Sequence, residues 1–227
     1  MTLSRFESFK DGYNRLWSHL AIRPDREYEA KAAAERLLKG KFPYLQIERK
    51  TGVPWWFVGL CHYRESDCNF DTYLGNGQPL SQRTTIVPKG RGPFAGPSGF
   101  VNGAVDALHL EGYFGAADWS IERVLYRLES FNGFGYRIHQ VNSPYLWGGS
   151  TAYVGGKFIS DHHFDSHAVD KQLGAAVILK VLTELDPSIE LDSGLPVANP
   201  EPEDEAVHGT LWLQRSLNKL GMDSPLV

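Results

Sequence analysis

The chain has 227 residues and a mass of 25.4 kDa, a length that favours one main domain with an appendage. Its 23 Lys and Arg residues against 27 Asp and Glu residues give a net charge of −4, so it lacks the positive field that nucleic-acid binding needs, and we expect no DNA or RNA partner. Apolar stretches stay well short of the roughly 20 residues of a membrane span, and the first residues lack the apolar run of a secretory signal, so we expect no membrane association and synthesis in the cytosol.

The first half of the chain predicts helices and then an irregular region. A tract near 6–20 repeats apolar residues at three- and four-residue steps, and EYEAKAAAERLL is rich in strong helix formers. A third helix should begin near 51–54, where a proline stands early, and run to about Ser66. Gly, Pro, Asn and Thr dominate residues 67–100, where Asn-Gly at 76–77 and TTIV at 84–87 predict a short hairpin or small sheet followed by a long loop.

The second half predicts further helices and a change of composition. Helical patterns cover 101–110 and 119–131, and a polar, aromatic loop should follow over 134–164. Asp165 is a candidate cap for a long helix, SHAVDKQLGAAVILKVLTEL. We therefore predict a mainly α domain over 1–187, an acidic, proline-rich linker over 188–207, and the start of a helix in 208–227.

Cysteine and histidine usage predicts neither a disulfide framework nor a metal site. Cys61 and Cys68 are the two cysteines, and we interpret them as buried small hydrophobic residues in preference to a bridge. The segment DHHFD at 161–165 lacks the spacing of a zinc site. We expect no metal and no other cofactor.

Glu65 is the acid most suited to chemistry. It falls at the end of an aromatic-rich predicted helix, where the chain leaves for a polar region. Neighbours such as Trp56, Phe57 or Tyr63 would partly desolvate this carboxyl, raise its pKa and keep it protonated as a general acid near neutral pH. The alternative is an ordinary surface glutamate paired with Arg64 or Arg83.

Two segments resemble one superfamily of glycan-cleaving enzymes. HYRESDCNF at 62–70 resembles the Glu-Ser signature of goose-type lysozymes and soluble lytic transglycosylases, and LESFNGFGY at 128–136 is similar to their Ala-Tyr-Asn-x-Gly segment, with Phe131 in place of the usual tyrosine. Segments 73–91, 118–126 and 143–153 also resemble lysozyme-like bacterial and phage proteins. The superfamily's Gly-Leu-Met-Gln segment is missing, and Gln78 or Gln82 is a candidate replacement.

The end of the chain carries an independent resemblance. LWLQRSLNKLGM at 211–222 is similar to the first helix of the type-1 peptidoglycan-binding domain, whose pattern is Leu-Gln, then Leu-Asn, then Leu-Gly. The alternative is an ordinary amphipathic helix. The resemblance implies a wall-binding module that begins here.

Together these resemblances imply a fold and an activity. The fold is a mainly α (α+β), lysozyme-like, two-lobed domain with a small β-hairpin lobe and a cleft between the lobes. The activity is cleavage of β-1,4 bonds between amino sugars of peptidoglycan, with Glu65 as proton donor in a monomer that reaches the wall after release or export. The alternatives are a chitinase or another β-glycan hydrolase, a lytic transglycosylase, and a catalytically silent wall-binding module.

A glycoside hydrolase usually needs a second carboxylate opposite the proton donor. Asp71 and Asp67 both follow Glu65, and Asp71 is the better candidate, because Asp67 stands two positions from Glu65 and would point elsewhere on a continuing helix. Thr84 or Thr85 would hold a water from the facing segment. Without an opposed carboxylate, substrate-assisted transglycosylation becomes the better account.

Glycan binding also needs aromatic faces and polar groups along the cleft. The irregular segments supply aromatic, amide and hydroxyl side chains, and the alternative for part of this set is local packing. The candidate sugar-binding residues are Tyr73, Asn76, Gln82, Thr84, Thr85, Asn132, Tyr136, Tyr145 and Trp147.

Overall fold

The structure, a computed structural model, describes residues 4–160 and 163–191. Within these residues the protein is mainly helical with one small antiparallel sheet, as the sequence predicts. The helices are α1 (Arg5–Ser18), α2 (Glu27–Lys39), α3 (Lys41–Thr51), α4 (Trp55–Ser66), α5 (Gly99–Leu110), α6 (Ile121–Asn132), α7 (Gly135–Ile138), α8 (Pro144–Trp147) and α9 (Ala175–Leu185), and the strands are β1 (Lys157–Ser160) and β2 (His163–Asp165).

Helix α4 is the central element of the core. All of residues 55–63 are buried, which explains why this segment is apolar on every side. Helix α3 packs against α4, and α2 packs against both α4 and α9. Helix α9 is itself buried over residues 175–179, and the alanines at its start allow close helix packing. The core therefore surrounds α4 and leaves its C-terminal end at the surface.

The small sheet lies elsewhere than predicted. Residues 67–98 contain turns and one isolated bridge, Thr72 to Pro79, whereas the antiparallel pair is β1 with β2, in the segment predicted to be a loop. The side chain of Gln78 accepts hydrogen bonds from the backbone N–H groups of Thr85 and Ile86, so these donors are not available for a strand ladder. The Asn-Gly turn at 76–77 is present, but the segment that should pair across it is bound by the Gln78 side chain and not by a strand ladder.

The last helix is shorter than predicted. Asp165 does cap a turn, because its carboxylate accepts from the N–H groups of His167 and Ala168, but α9 begins only at Ala175. Gly174 has an extended backbone, and a Cβ there would overlap the carbonyl oxygen of Leu146. This close approach fixes residues 166–174 as an irregular segment across the end of α8. From residue 192 on, the predicted linker and terminal helix lie outside the described residues.

Candidate active site

Glu65 lies where α4 leaves the core. Tyr63, two residues earlier, is buried, whereas Glu65 and Ser66 are half-buried. The helix ends here because Asp67 and Cys68 take left-handed backbone angles, with φ of 51° and 59°. The Glu65 carboxylate therefore stands between the apolar core and the surface, as the sequence predicted.

The hydroxyl of Tyr145 donates a hydrogen bond of 3.0 Å to Oε1 of Glu65. Tyr145 belongs to α8, whose first turn is fixed by Pro144 and by Ser143, since the Ser143 hydroxyl accepts from the Tyr145 N–H. Burial, and then the negative charge of Glu65, raises the pKa of Tyr145 well above its usual range. The phenol consequently stays protonated and remains a donor to the carboxylate.

Arg64 precedes Glu65 and packs on the ring of Tyr145. Its guanidinium carbon lies 4.7 Å from the ring centroid, and its Nη1 donates to the carbonyl of Leu173 at 2.8 Å. Its Nη2 lies 3.6 Å from the carboxylate of Asp170. Arg64 is therefore held by the segment before α9.

A turn from the irregular region packs directly on the end of α4. Gly77 has a φ of 71°, and a Cβ added to it would lie 2.8 Å from the backbone carbonyl oxygen of Glu65. The neighbouring Asn76 closes the turn, because its Oδ1 accepts from the Gln78 N–H at 3.1 Å. Only glycine fits this close approach with this backbone angle.

Two amides fold the next segment back onto this turn. Gln78 accepts from the N–H groups of Thr85 and Ile86 at 2.8 and 3.1 Å and donates to the Thr85 hydroxyl at 2.9 Å. Asn76 donates to the carbonyl of Ile86 at 3.2 Å. Asn76 and Thr85, both predicted sugar-binding residues, thus belong to one ordered wall beside Glu65, and Gln78 is its main tether.

Asp71 has a free carboxylate next to this wall. Asn69 caps the local turn, since its Oδ1 accepts from the Asp71 N–H at 3.0 Å. The Asp71 carboxylate is exposed and makes no hydrogen bond or ion pair with the described residues. It lines a depression of about 830 Å³ together with Phe42, Phe70 and Phe94, and Glu65 does not line that depression.

Three other residues of segment 67–98 that the sequence predicts to bind sugar differ in how exposed their side chains are. Tyr73 is 1% exposed, and its hydroxyl donates to Asp106 at 2.8 Å, so it holds the region to α5. Thr84 is buried, donates to the Pro88 carbonyl and accepts from the Arg91 N–H. Gln82 is exposed. Of the three, Gln82 alone has its side chain at the surface.

The predicted residues beyond α6 are largely internal. Asn132 is half-buried at the end of α6. Tyr136 is buried against Phe158 of β1, with ring centroids 5.1 Å apart, and burial raises its pKa to about 12. Trp147 is 2% exposed, so its ring packs in the core. Tyr145, also in this group, donates the hydrogen bond to Glu65 described above.

Asp170 is a functional candidate that sequence patterns do not indicate. It lies in the segment predicted to be helical, where an acid would be expected on a solvated face. The structure places its carboxylate within 3.6 Å of Arg64 and 3.5 Å of Lys157, and its Oδ1 accepts from the Gln172 N–H at 3.0 Å. These contacts arise because the segment before α9 crosses the end of α4, where Gln172 donates to the carbonyl of Tyr63.

Within residues 4–160 and 163–191 no three His, Cys, Asp or Glu side chains are grouped to hold a metal ion. Two residues of the DHHFD segment, Asp161 and His162, lie outside the described part of the chain. No described helix is both long and apolar enough to cross a membrane.

Comparison with known proteins gives no family for this chain: neither a protein family, nor a curated protein, nor a solved structure matches it. The geometry around Glu65 and the short sequence resemblances are the features that point to a function.

Proposed function

We propose that this protein is a glycoside hydrolase that cleaves β-1,4 bonds between amino sugars of peptidoglycan, with Glu65 as the general acid. The observation that carries the proposal is the position of Glu65. Its half-buried carboxylate closes a buried helix, and one of its oxygens accepts a hydrogen bond from Tyr145. A glycosidase needs a fixed carboxylic acid of this kind beside an open surface to protonate the leaving oxygen.

The proposed reaction begins with proton transfer from Glu65 to the glycosidic oxygen. During this transfer the Tyr145 hydroxyl holds the Glu65 carboxyl at Oε1. Proton transfer makes the departing sugar a neutral alcohol, and positive charge develops on the ring carbon and ring oxygen. In the wall beside Glu65 the amides of Asn76 and Gln78 hold the segment in place, and the exposed Thr85 hydroxyl, which accepts from Gln78, retains its own proton to donate to a sugar hydroxyl.

Asp71 is the proposed second carboxylate. Its exposed, unpaired side chain would deprotonate a water on the sugar face opposite Glu65, which requires a separation of roughly 6.5–9.5 Å between the two carboxyl groups. In this proposal the fold is a lysozyme-like, two-lobed domain, with the helices around α4 in one lobe and residues 67–98 in the other. The substrate class follows from the resemblance of 62–70 and 128–136 to goose-type lysozymes and lytic transglycosylases.

The decisive experiment compares Glu65→Gln with the wild type on purified cell walls. The amide keeps the shape of the side chain but has no transferable proton, so we expect turnover to fall by about 10²–10⁴-fold with wall binding retained. Asp67→Asn is the matched control, because Asp67 is an exposed carboxylate two residues away whose partner is Arg36. Unchanged wall lysis by Glu65→Gln would disprove the assignment.

Mass spectrometry of the released fragments separates the alternatives. Fragments ending in a reducing sugar support hydrolysis, and anhydro-sugar ends would indicate a lytic transglycosylase. Cleavage of soluble chitin with no product from cell walls would indicate a chitinase or another β-glycan hydrolase. Wall binding without any product would indicate a catalytically silent binding module.

A further inference from the structure

Behind Glu65 lies a buried chain of contacts formed by Asp170, Arg64 and Tyr145. The side chains of Arg64 and Asp170 are 6% and 12% exposed. The Nε of Arg64 is buried and has no hydrogen-bond partner. An unsatisfied nitrogen on a buried guanidinium destabilises the fold, so this arrangement is not explained by stability alone.

We propose that Arg64, held by Asp170 and by the carbonyl of Leu173, is a positioning residue that fixes the Tyr145 ring, so that the phenol holds Oε1 of Glu65. The catalytic use of this positioning rests on the proposed function, whereas the positioning itself does not.

Each contact of the Arg64 guanidinium has a separate role. Arg64 covers one face of the Tyr145 ring at 4.7 Å, and its two terminal nitrogens are directed to Leu173 and Asp170. A planar guanidinium can stack and bind both groups at once, which a lysine ammonium cannot do. The ring held in this way keeps its hydroxyl 3.0 Å from Oε1. This contact fixes the orientation of the Glu65 carboxyl.

Other titratable and charged groups face this chain of contacts. Lys157 of β1 faces Asp170 at 3.5 Å, and the Tyr153 hydroxyl accepts from the Asp170 N–H. Burial raises the pKa of both Tyr153 and Tyr136, which also lies near Asp170. Cys61 is the remaining titratable neighbour of Tyr145, and its thiol is buried.

The test follows the titration of the Glu65 carboxyl carbon by NMR, with the signal assigned through Glu65→Gln. Tyr145→Phe removes a hydrogen bond to the charged form, so the midpoint should rise by about one pH unit or more. Arg64→Lys keeps the positive charge but loses the stacking geometry, so the midpoint should rise by about half a unit. An unchanged midpoint in Tyr145→Phe would overturn the proposal.

A matched control isolates Arg64 from general effects of an arginine replacement. Arg36→Lys makes the same chemical change at an exposed arginine that pairs with Asp67 at the end of α4, and it should leave the midpoint unchanged. A shift in Tyr145→Phe together with no shift in Arg64→Lys would overturn the role of Arg64.

If Arg64→Lys does not fold, Asp170→Asn replaces it. Loss of the nearby negative charge of Asp170 by itself lowers the titration midpoint of the Glu65 carboxyl. Loss of the Tyr145 hydrogen bond to that carboxyl raises the midpoint. In Asp170→Asn we expect the Glu65 midpoint to rise, and a lower midpoint would overturn the proposal.

The positioning proposal and the proposed function can be disproved independently of each other. Full activity of Glu65→Gln would disprove the function and leave the titration shifts intact. An inactive Glu65→Gln with no shift in Tyr145→Phe would disprove only the positioning.

Discussion

The backbone carbonyl of Glu65 and the α-carbon of Gly77 approach each other so closely that a Cβ on residue 77 would lie 2.8 Å from the carbonyl oxygen. This contact joins the end of α4 to the irregular region that forms the wall of the candidate site. Because the backbone of Glu65 is one side of the contact, a shift of the turn moves the proposed general acid.

Gly77→Ala should therefore affect both stability and activity. Its positive φ alone costs about 1–2 kcal/mol in a non-glycine residue, and the added methyl group must also push the turn away from Glu65. Gly90→Ala is a matched control, because Gly90 has a φ of 78° with no atom within 4 Å of an added Cβ.

Thermal unfolding and wall lysis measure the two effects. Both variants should lose stability, but only Gly77→Ala should also lose lysis at temperatures where each remains folded. Equal activity in the two variants would show that the contact does not position Glu65.

His62 should make the protein less stable in mild acid. Its Nε2 faces the carbonyl of Asn69 and its Nδ1 faces the hydroxyl of Tyr44, both at 2.9 Å, so the neutral ring is fully paired. Burial lowers the pKa of His62 to about 4. The unfolded chain binds this proton below about pH 6.5 and the folded protein only below about pH 4, so stability falls by about 3 kcal/mol as pH drops between these values.

Chemical denaturation at pH 7, 5 and 4 measures this contribution. Carboxylates also titrate in this range, so the comparison with His62→Gln is the measurement. The variant should be less stable at pH 7 and should lose less stability than the wild type on acidification. A parallel decline in both proteins would contradict the prediction.

Apolar spacing within single segments of the sequence predicted three of the helices. The apolar steps of α1 and α6, and the buried run of α4 with Pro54 before it, identified these helices to within a few residues. Glu65 was found for the same reason, since the end of a buried helix is visible in sequence.

Contacts between distant segments could not be predicted in this way. Asp170 lies 3.6 Å from Arg64 in the irregular segment before α9, and at the end of that segment Gly174 packs on the carbonyl of Leu146. Residue type and loop position predict Tyr145 as a sugar-binding residue, but its contact with Glu65 joins residues 80 positions apart. No periodic pattern carries that information.

Removal of residues 192–227 should leave the domain folded. Ile189 is buried, and Leu191 packs against the core, so the described core closes at residue 191. Truncation after Leu191 should preserve the melting temperature and the hydrolysis of small soluble substrates. Truncation after Pro187 is the matched control, because it removes Ile189 and should lower the melting temperature. Loss of cooperative unfolding in the longer variant would show that the C-terminal residues belong to the fold.

Asp71→Asn tests whether the proposed reaction ends in hydrolysis or in transglycosylation. Because Asn69 caps the turn, the Asp71 carboxylate is not needed for local structure, and the amide should fold as the wild type does. If Asp71 activates water, the variant should lose hydrolysis by about 10²-fold or more while wall binding persists, and the wild-type product should have an inverted reducing end. Asp67→Asn, an exposed carboxylate paired with Arg36, should keep its activity.

The opposite result has an equally definite meaning. Unchanged hydrolysis in Asp71→Asn, or anhydro-sugar products from the wild type, would remove Asp71 from the mechanism. Glu65 would then act as the only carboxyl, first as acid and then as base, with the substrate's own acetamido group or hydroxyl as the nucleophile. The depression that Asp71 shares with Phe42 and Phe70 would lie outside the reacting centre.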